Sequence, residues 1–305
     1  MDNFCHGTNA GWEKIKENPV LGGNLGTCFD ISMLTDNGSF VMYFSWRDRK
    51  SIAVTSSKDG IHWSEPEICI TPRKTKNGKE DDLNRPSVVK VGSIYHMWYT
   101  GQYLPGQADG TSDIFHAVSE DGIHFVRTSD EPVLCPEKEW EKQAVMCPSV
   151  IWDEEKKIFR MWYSGGEQYE PNAIGYAESA DGLQWVKSSV NPVFQADLAS
   201  SWECHKAAGC QVFSEDGWFY MFYIGYHTED YAQIGMARSH DGVTGWERSS
   251  LNPIIAPDID AWDGEACYKP FVLKGDNEWY LWYNGRKGTK EQIGMAILKN
   301  RSLIF

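Results

Sequence analysis

The chain has no apolar run of 18 residues and no basic-then-apolar segment at its start. The first absence argues against a membrane-spanning helix, the second against a secretory leader. Cations are scarce: 29 Lys and Arg stand against 43 Asp and Glu, a net charge of −14. Such an acidic surface suits neither nucleic acid nor an anionic membrane, and neither is expected as a partner. The eight cysteines form no CxxC pair and no Cys/His spacing suited to zinc, so no metal or other cofactor is expected. Cys28, Cys147, Cys210 and Cys267 lie inside strand-like runs and read as buried reduced thiols of a cytoplasmic protein. No long stretch carries an apolar 3.6-residue period, which leaves little room for helices.

What the sequence does contain is repetition. "SKDGIHW" at 57–63 returns as "SEDGIHF" at 119–125, "SADGLQW" at 179–185 and "SHDGVTGW" at 239–246. Its glycines, Gly60, Gly122, Gly182 and Gly242, are 62, 60 and 60 residues apart. A second phrase keeps the same beat: "YHMWYTG", "FRMWYSG", "FYMFYIG" and "WYLWYNG", with a weaker "FVMYFSW" at 40–46. A third precedes it: "RPSVV", "CPSVI" and "KPFVL", with looser "DISML" and "GCQVF". A fixed period of this length marks a repeat architecture. Asp-Gly between apolar runs signals tight turns, and the aromatic and β-branched runs suit short strands. Four strands per unit and five units predict an all-β, five-bladed β-propeller of four-stranded antiparallel blades, one domain over 1–305. The last repeat stops short of its outer strand, while "GWEKIKENPVL" at 11–21 resembles a blade ending. The N-terminal segment is therefore expected to supply the missing strand of the last blade and close the ring.

The "S-x-D-G-x-x-W" phrase reads as architecture. Asp and Gly make the turn, Ser bonds back to local backbone, and the aromatic packs between blades. Chemistry is expected at the ring's centre, where the innermost strands meet. Aligning those strands on the Pro of "PSV" places Asp30, Arg85, Cys147, Gly209 and Lys269 at one level, and Ser32, Ser87, Ser149, Gln211 and Phe271 two residues on. Asp30, Arg85 and Lys269 are thus expected at the channel mouth. The segments before these strands add Asp82, Glu203, His205, Lys206 and Glu265; the loops after the aromatic strands add Trp46, Glu167, His227 and Arg286. Carboxylates opposed across a cleft with aromatic and cationic walls suit a sugar: acid and base for the glycosidic bond, rings for stacking, charged groups for hydroxyls. The expected partner is a small carbohydrate; the sequence says nothing of oligomeric state.

The whole chain resembles the five-bladed glycosidase superfamily that holds glycoside hydrolase families 43, 32, 62, 68, 117 and 130. The repeat count, the "DG-x-x-W" blade ends and the "WYxG" strands carry the resemblance. In family 43 the first innermost strand has an Asp-Pro-Ser-aliphatic motif whose Asp is the catalytic base. "DISM" puts Asp30 there, with Ile31 for Pro. Family 32 has Glu-Cys-Pro and Arg-Asp-Pro where this chain has Met146-Cys147-Pro148 and Asn84-Arg85-Pro86. "HKAAGCQVFSEDGWFYMFYIGY", with Lys206, Gly209, Gly217 and Trp218, is similar to blade four of family 130, whose Glu-Asp-Pro-Arg motif is missing. The resemblance implies a glycosidase that cleaves a terminal sugar. A family 130 type phosphorylase, using Arg85, Lys206 or Lys269 to hold phosphate, and a non-catalytic carbohydrate-binding propeller are the alternatives. Asp30 is expected as base, or as nucleophile in a retaining enzyme. Glu265 is ranked first as proton donor because it departs from its repeat, then Asp82, then Glu203. Arg85, Lys269, Trp46, His205, Lys206, Glu167, His227 and Arg286 are expected to bind substrate.

Overall fold

The computed structural model describes residues 6–73, 79–103, 110–167 and 171–305. It is an all-β structure whose strands follow the sequence repeats. Each repeat begins with a first strand: Cys28–Asp36, Asp82–Val91, Ala144–Asp153, Lys206–Glu215 and Ala266–Lys274. Each first strand pairs antiparallel with the aromatic second strand: Ser39–Trp46, Ile94–Tyr103, Ile158–Gly166, Trp218–Tyr226 and Trp279–Lys287. Third strands follow in the same antiparallel manner, and short outer strands such as Glu67–Ile70 and Glu247–Arg248 complete the repeats. The pairing yields three four-stranded sheets and one of nine, the latter joined by one parallel pair, Ala144 with Ser112. The last repeat receives its outer strand from Trp12–Lys14, paired antiparallel with Lys290–Leu298.

The five first strands touch one another in a closed cycle: first to second, onward to the fifth, and fifth back to first. Side chains of one first strand bond the backbone of the next. Ser32, Ser87 and Ser149 accept from the amides of Val88, Val150 and Val212 at 3.0 Å each, and Gln211 accepts from Val272 at 2.6 Å. That explains the small polar residue of "PSV". It leaves no bulk at the axis and supplies an acceptor to an otherwise buried amide.

The Asp-Gly turns pin neighbouring repeats. In each, Ser accepts from the Gly amide and Asp Oδ1 accepts from the next two amides, as in Ser179, Gly182 and Asp181. The Gly carbonyl then accepts from an aromatic of the preceding repeat. Trp98 donates to Gly182 at 2.9 Å, Trp162 to Gly242 at 2.7 Å, Trp282 to Gly60 at 3.0 Å, and Tyr43 to Gly122 at 2.8 Å. Trp98, Trp162 and Trp282 are fully buried, so satisfying their indole N–H removes a desolvation cost of about 1–3 kcal/mol each. Cys28, Cys147, Cys210 and Cys267 are buried free thiols.

Candidate active site

Asp30, Arg85, Cys147, Gly209 and Lys269 do reach one level, and they share an unusual backbone. Their φ angles are 53°, 56°, 54°, 43° and 51°. Only Gly209 adopts this left-handed region without a Cβ penalty; the other four spend conformational energy to hold it. Each sits where the pairing of its first and second strand slips, a β-bulge between residues such as Phe29 and Ser32 or Tyr268 and Phe271. The bulge frees the residue's N–H from the ladder. The preceding repeat's second strand takes it up: Asp30 N–H bonds Asn284 Oδ1 at 3.1 Å, Arg85 N–H bonds Ser45 Oγ at 2.9 Å, Cys147 N–H bonds Thr100 Oγ1 at 3.2 Å and Gly209 N–H bonds Ser164 Oγ at 2.8 Å. Ile224 occupies the equivalent place before Lys269. Bulges of this kind re-aim side chains. Here they turn Asp30, Arg85, Cys147 and Lys269 into a common cavity of about 190 Å³. A smaller space of about 10 Å³ lies among Ser32, Ser87, Ser149 and Lys269.

Among the carboxylates that line the cavity Asp30 is the most buried, 3% exposed. Its Oδ2 lies 3.5 Å from Arg85 Nε and has no hydrogen-bond partner, while Oδ1 meets Asn284 Nδ2 at 3.4 Å. Burial pushes its pKa up; the nearby Arg85 and Lys269 pull it down, and the net direction is up. Arg85 is held by Asn84 Oδ1 at 2.6 Å, and its neighbouring carboxylate keeps its pKa raised against burial. Arg286 also lines the cavity, donating to the Asp230 carbonyl at 2.7 Å.

A second carboxylate lines the same wall, and sequence reasoning missed it. Glu291 accepts from Arg47 Nη2 at 2.8 Å and from the Tyr268 hydroxyl. It stands next to Gln292, at the head of a third strand whose counterparts carry Ala232 before Gln233 and Ser112 before Asp113. That departure from the repeat is the signal that had favoured Glu265.

The remaining candidates lie elsewhere. Glu265 is exposed and accepts from the Gly288 amide of its own repeat at 3.0 Å, outside the cavity. Asp82 is half-buried and does not line the cavity; burial raises its pKa, and Arg47 and Arg85 are close enough to pull against it. Glu203 is 1% exposed and paired with Arg248 at 2.8 Å, with Tyr223 beside it. Three other repeats build the same arrangement. Glu80 joins Tyr99 and Arg127, Glu141 joins Tyr163 and Lys187, and Asp263 joins Tyr283 and Lys14, at 2.7–2.9 Å. The "W-E" and "W-D" pairs are therefore a repeat-wide clamp. The preceding tryptophan fills a gap that only glycine leaves: a Cβ on Gly225 or Gly235 would sit 2.2–2.9 Å from atoms of Trp202, Glu203 and Tyr223. Trp46 donates to the Leu25 carbonyl at 2.7 Å and packs into the core. His205 is exposed. Lys206 and Glu167 face each other at 3.9 Å, Glu167 also pairing with Lys142, and His227 Nδ1 lies 3.8 Å from Cys204 Sγ. None of these five lines the cavity. Among the described residues no cluster of three His, Cys, Asp or Glu could hold a metal ion, and no helix is long and apolar enough to cross a membrane.

The model of the family described as glycosyl hydrolases family 43 matches residues 16–302. A 1,2-beta-oligomannan phosphorylase of Thermoanaerobacter sp. (strain X514) is 30% identical over 289 residues, covering 90% of this chain and 86% of that protein. An uncharacterised protein of Mycobacterium tuberculosis is 28% identical over 274 residues, covering 86% and 88%. Among solved structures, one from the GH130 family of mannoside phosphorylases, which contains glycoside hydrolases targeting β-1,2 mannosidic linkages in Candida mannan, superposes with a TM-score of 0.74. It is 15% identical and covers 100% of this chain and 99% of that one. A thermostable family-43 glycoside hydrolase superposes at 0.71 with 18% identity, covering 91% of each chain. At these identities the structural likeness speaks for the fold alone.

Proposed function

The chain belongs to glycosyl hydrolases family 43, and from that premise we propose that it is a hydrolase removing a terminal sugar from an oligosaccharide or glycoside. It works as a single domain over residues 1–305, a five-bladed propeller with the cavity at its mouth. The observation that carries this reading is Asp30: a buried carboxylate turned into the cavity by its own left-handed backbone at a bulge, with an Oδ2 that accepts no hydrogen bond. Burial makes Asp30 a stronger proton acceptor than an ordinary carboxylate, and Arg85 and Lys269 favour its charged form. Asp30 is the general base that draws a proton from water as the water attacks the anomeric carbon. In a retaining enzyme it is instead the nucleophile. The proton for the leaving oxygen comes from Asp82, the half-buried one of the three ranked donors, whose burial raises its pKa against the pull of Arg47 and Arg85. Glu291 fixes Arg47 and Tyr268 in the wall. Seven free thiols among the described residues support a reducing, cytoplasmic setting.

Phosphorolysis is the second reading. It is favoured by the cations around the cavity and by the 30% identical phosphorylase relative. The test is Asp30→Asn assayed on a panel of aryl glycosides and oligosaccharides, with and without phosphate. Turnover is expected to fall by orders of magnitude with an unchanged melting temperature, and phosphate is not required by the parent. Near-normal activity of Asp30→Asn refutes the assignment; an absolute phosphate requirement moves the protein to the second reading.

A further inference from the structure

The hydrolytic reading uses Lys269 only as a charge near Asp30. It is 5% exposed, lines the cavity, and its ammonium has no hydrogen-bond or ion-pair partner among the described residues. A buried charge without a partner is costly, and proteins retain one where a ligand completes it. Lys269 does not stand alone. Arg85 reaches the same floor, and its nearest carboxylate, Asp30, is a long 3.5 Å away. At the rim, Arg286 Nε is buried without a partner. The floor therefore holds two cations against one carboxylate, one positive charge in excess, while Arg286 is offset by Asp230 at 3.8 Å. Arg47 adds nothing to the excess because Glu291 neutralises it at 2.8 Å.

Resting on the hydrolytic reading, we propose that the sugar seated on Asp30 is an acidic one, its carboxylate held between Lys269, Arg85 and Arg286. One excess charge calls for a monoanion. A carboxylate supplies that, and a guanidinium with a free N–H meets it along its preferred fork geometry. A phosphate near neutrality carries about −1.5 to −2 charges and meets the Asp30 carboxylate at close range, with Glu229 and Asp230 at the mouth adding to the repulsion. The same acidic rim suits sugar hydroxyls, which donate to carboxylates. A volume of about 190 Å³ is that of about six waters, room for one sugar ring and its substituents.

The test is calorimetric titration of the full chain with glucuronate and galacturonate, with glucose and galactose, and with inorganic phosphate. A uronate is expected to bind at least tenfold more tightly than its neutral counterpart, and Lys269→Met is expected to abolish that preference. Lys269 has no hydrogen bond or ion pair to lose among the described residues, so the variant is expected to fold. Arg286→Gln, half-exposed at the rim, provides a second variant with the same expected direction. Equal binding of neutral and acidic sugars overturns the proposal, as does a preference that survives both substitutions, or binding of phosphate without either uronate. Turnover of neutral aryl glycosides with no uronate preference sinks this proposal and leaves the hydrolase standing. Uronate binding with no turnover of any uronide does the reverse.

Discussion

Glu203 offers the sharpest separation of architecture from chemistry, because the same residue ranked as a proton donor on sequence and lies in a clamp in the structure. Glu203→Gln keeps the shape and removes the charge. Arg248 then loses its carboxylate partner, at 2.8 Å. Breaking a fully buried pair costs roughly 3–5 kcal/mol. Arg248's side chain is 29% exposed and recovers some hydration, so about 2–3 kcal/mol is expected here. In a chain of this size that lowers the melting temperature by roughly 3–5 °C. Arg248→Met alone leaves Glu203 buried and unpaired and is expected to cost at least as much. The double variant is expected to recover part of the loss, a coupling that thermal denaturation of all four proteins measures. Turnover per folded molecule, assayed well below the transition, is expected to stay within a few-fold of the parent. An unchanged melting temperature together with turnover reduced by orders of magnitude would falsify the clamp and return Glu203 to the reaction.

Asp82→Asn is expected to slow cleavage of a poor leaving group far more than that of an activated aryl glycoside; equal effects on both substrates rule it out as donor. Trp12 is 2% exposed and meets Phe222 edge-on at 6.2 Å. Trp12→Ala is expected to cost about 3–5 kcal/mol by loosening the N-terminal strand, and a melting temperature within 2 °C of the parent is evidence against that strand's closing role. His116 is buried against Trp98 and hydrogen-bonded to His96 at 3.1 Å and Thr128 at 3.0 Å. Burial, reinforced by His96, lowers its pKa to about 3. The unfolded imidazole protonates near 6.5, so its stabilising contribution is complete above that pH and is lost as pH falls toward 3, by up to about 1.4 kcal/mol per pH unit. The parent is expected to lose more stability than His116→Gln between pH 7 and 5, as measured by urea melts; parallel losses argue against the buried pair as the source.

The repeats were legible because each writes its own turn. "DG" must be Gly at its second place to hold the turn, and the indole that caps it recurs at the same distance. The level shared by Asp30, Arg85 and Lys269 followed from strand alternation alone. What alternation could not show was the bulge at that level, since nothing about an Asp, Arg, Cys or Lys announces a left-handed φ; among the five positions only Gly209 hinted at it. Glu291 escaped because it arrives on a third strand, 261 residues from Asp30, and reaches the cavity only through ring closure. The rule that favours a residue departing from its repeat also points to Glu291. It was applied to Glu265, whose counterpart position had already been filled by Asp263 and which therefore faces outward. Glu80 was missed as a clamp member because Lys79 stands where the other repeats place tryptophan.

The pairing of Trp12–Lys14 with Lys290–Leu298 has a consequence for how the chain is made. The partner of Trp12 is Leu298, 286 residues later. At roughly 5–20 residues per second of synthesis, that strand waits on the order of tens of seconds after leaving the ribosome before its partner exists. Through that interval Trp12 stays uncovered on a strand that Glu13 and Lys14 keep polar, and the last repeat gains its outer strand only once Leu298 has been made.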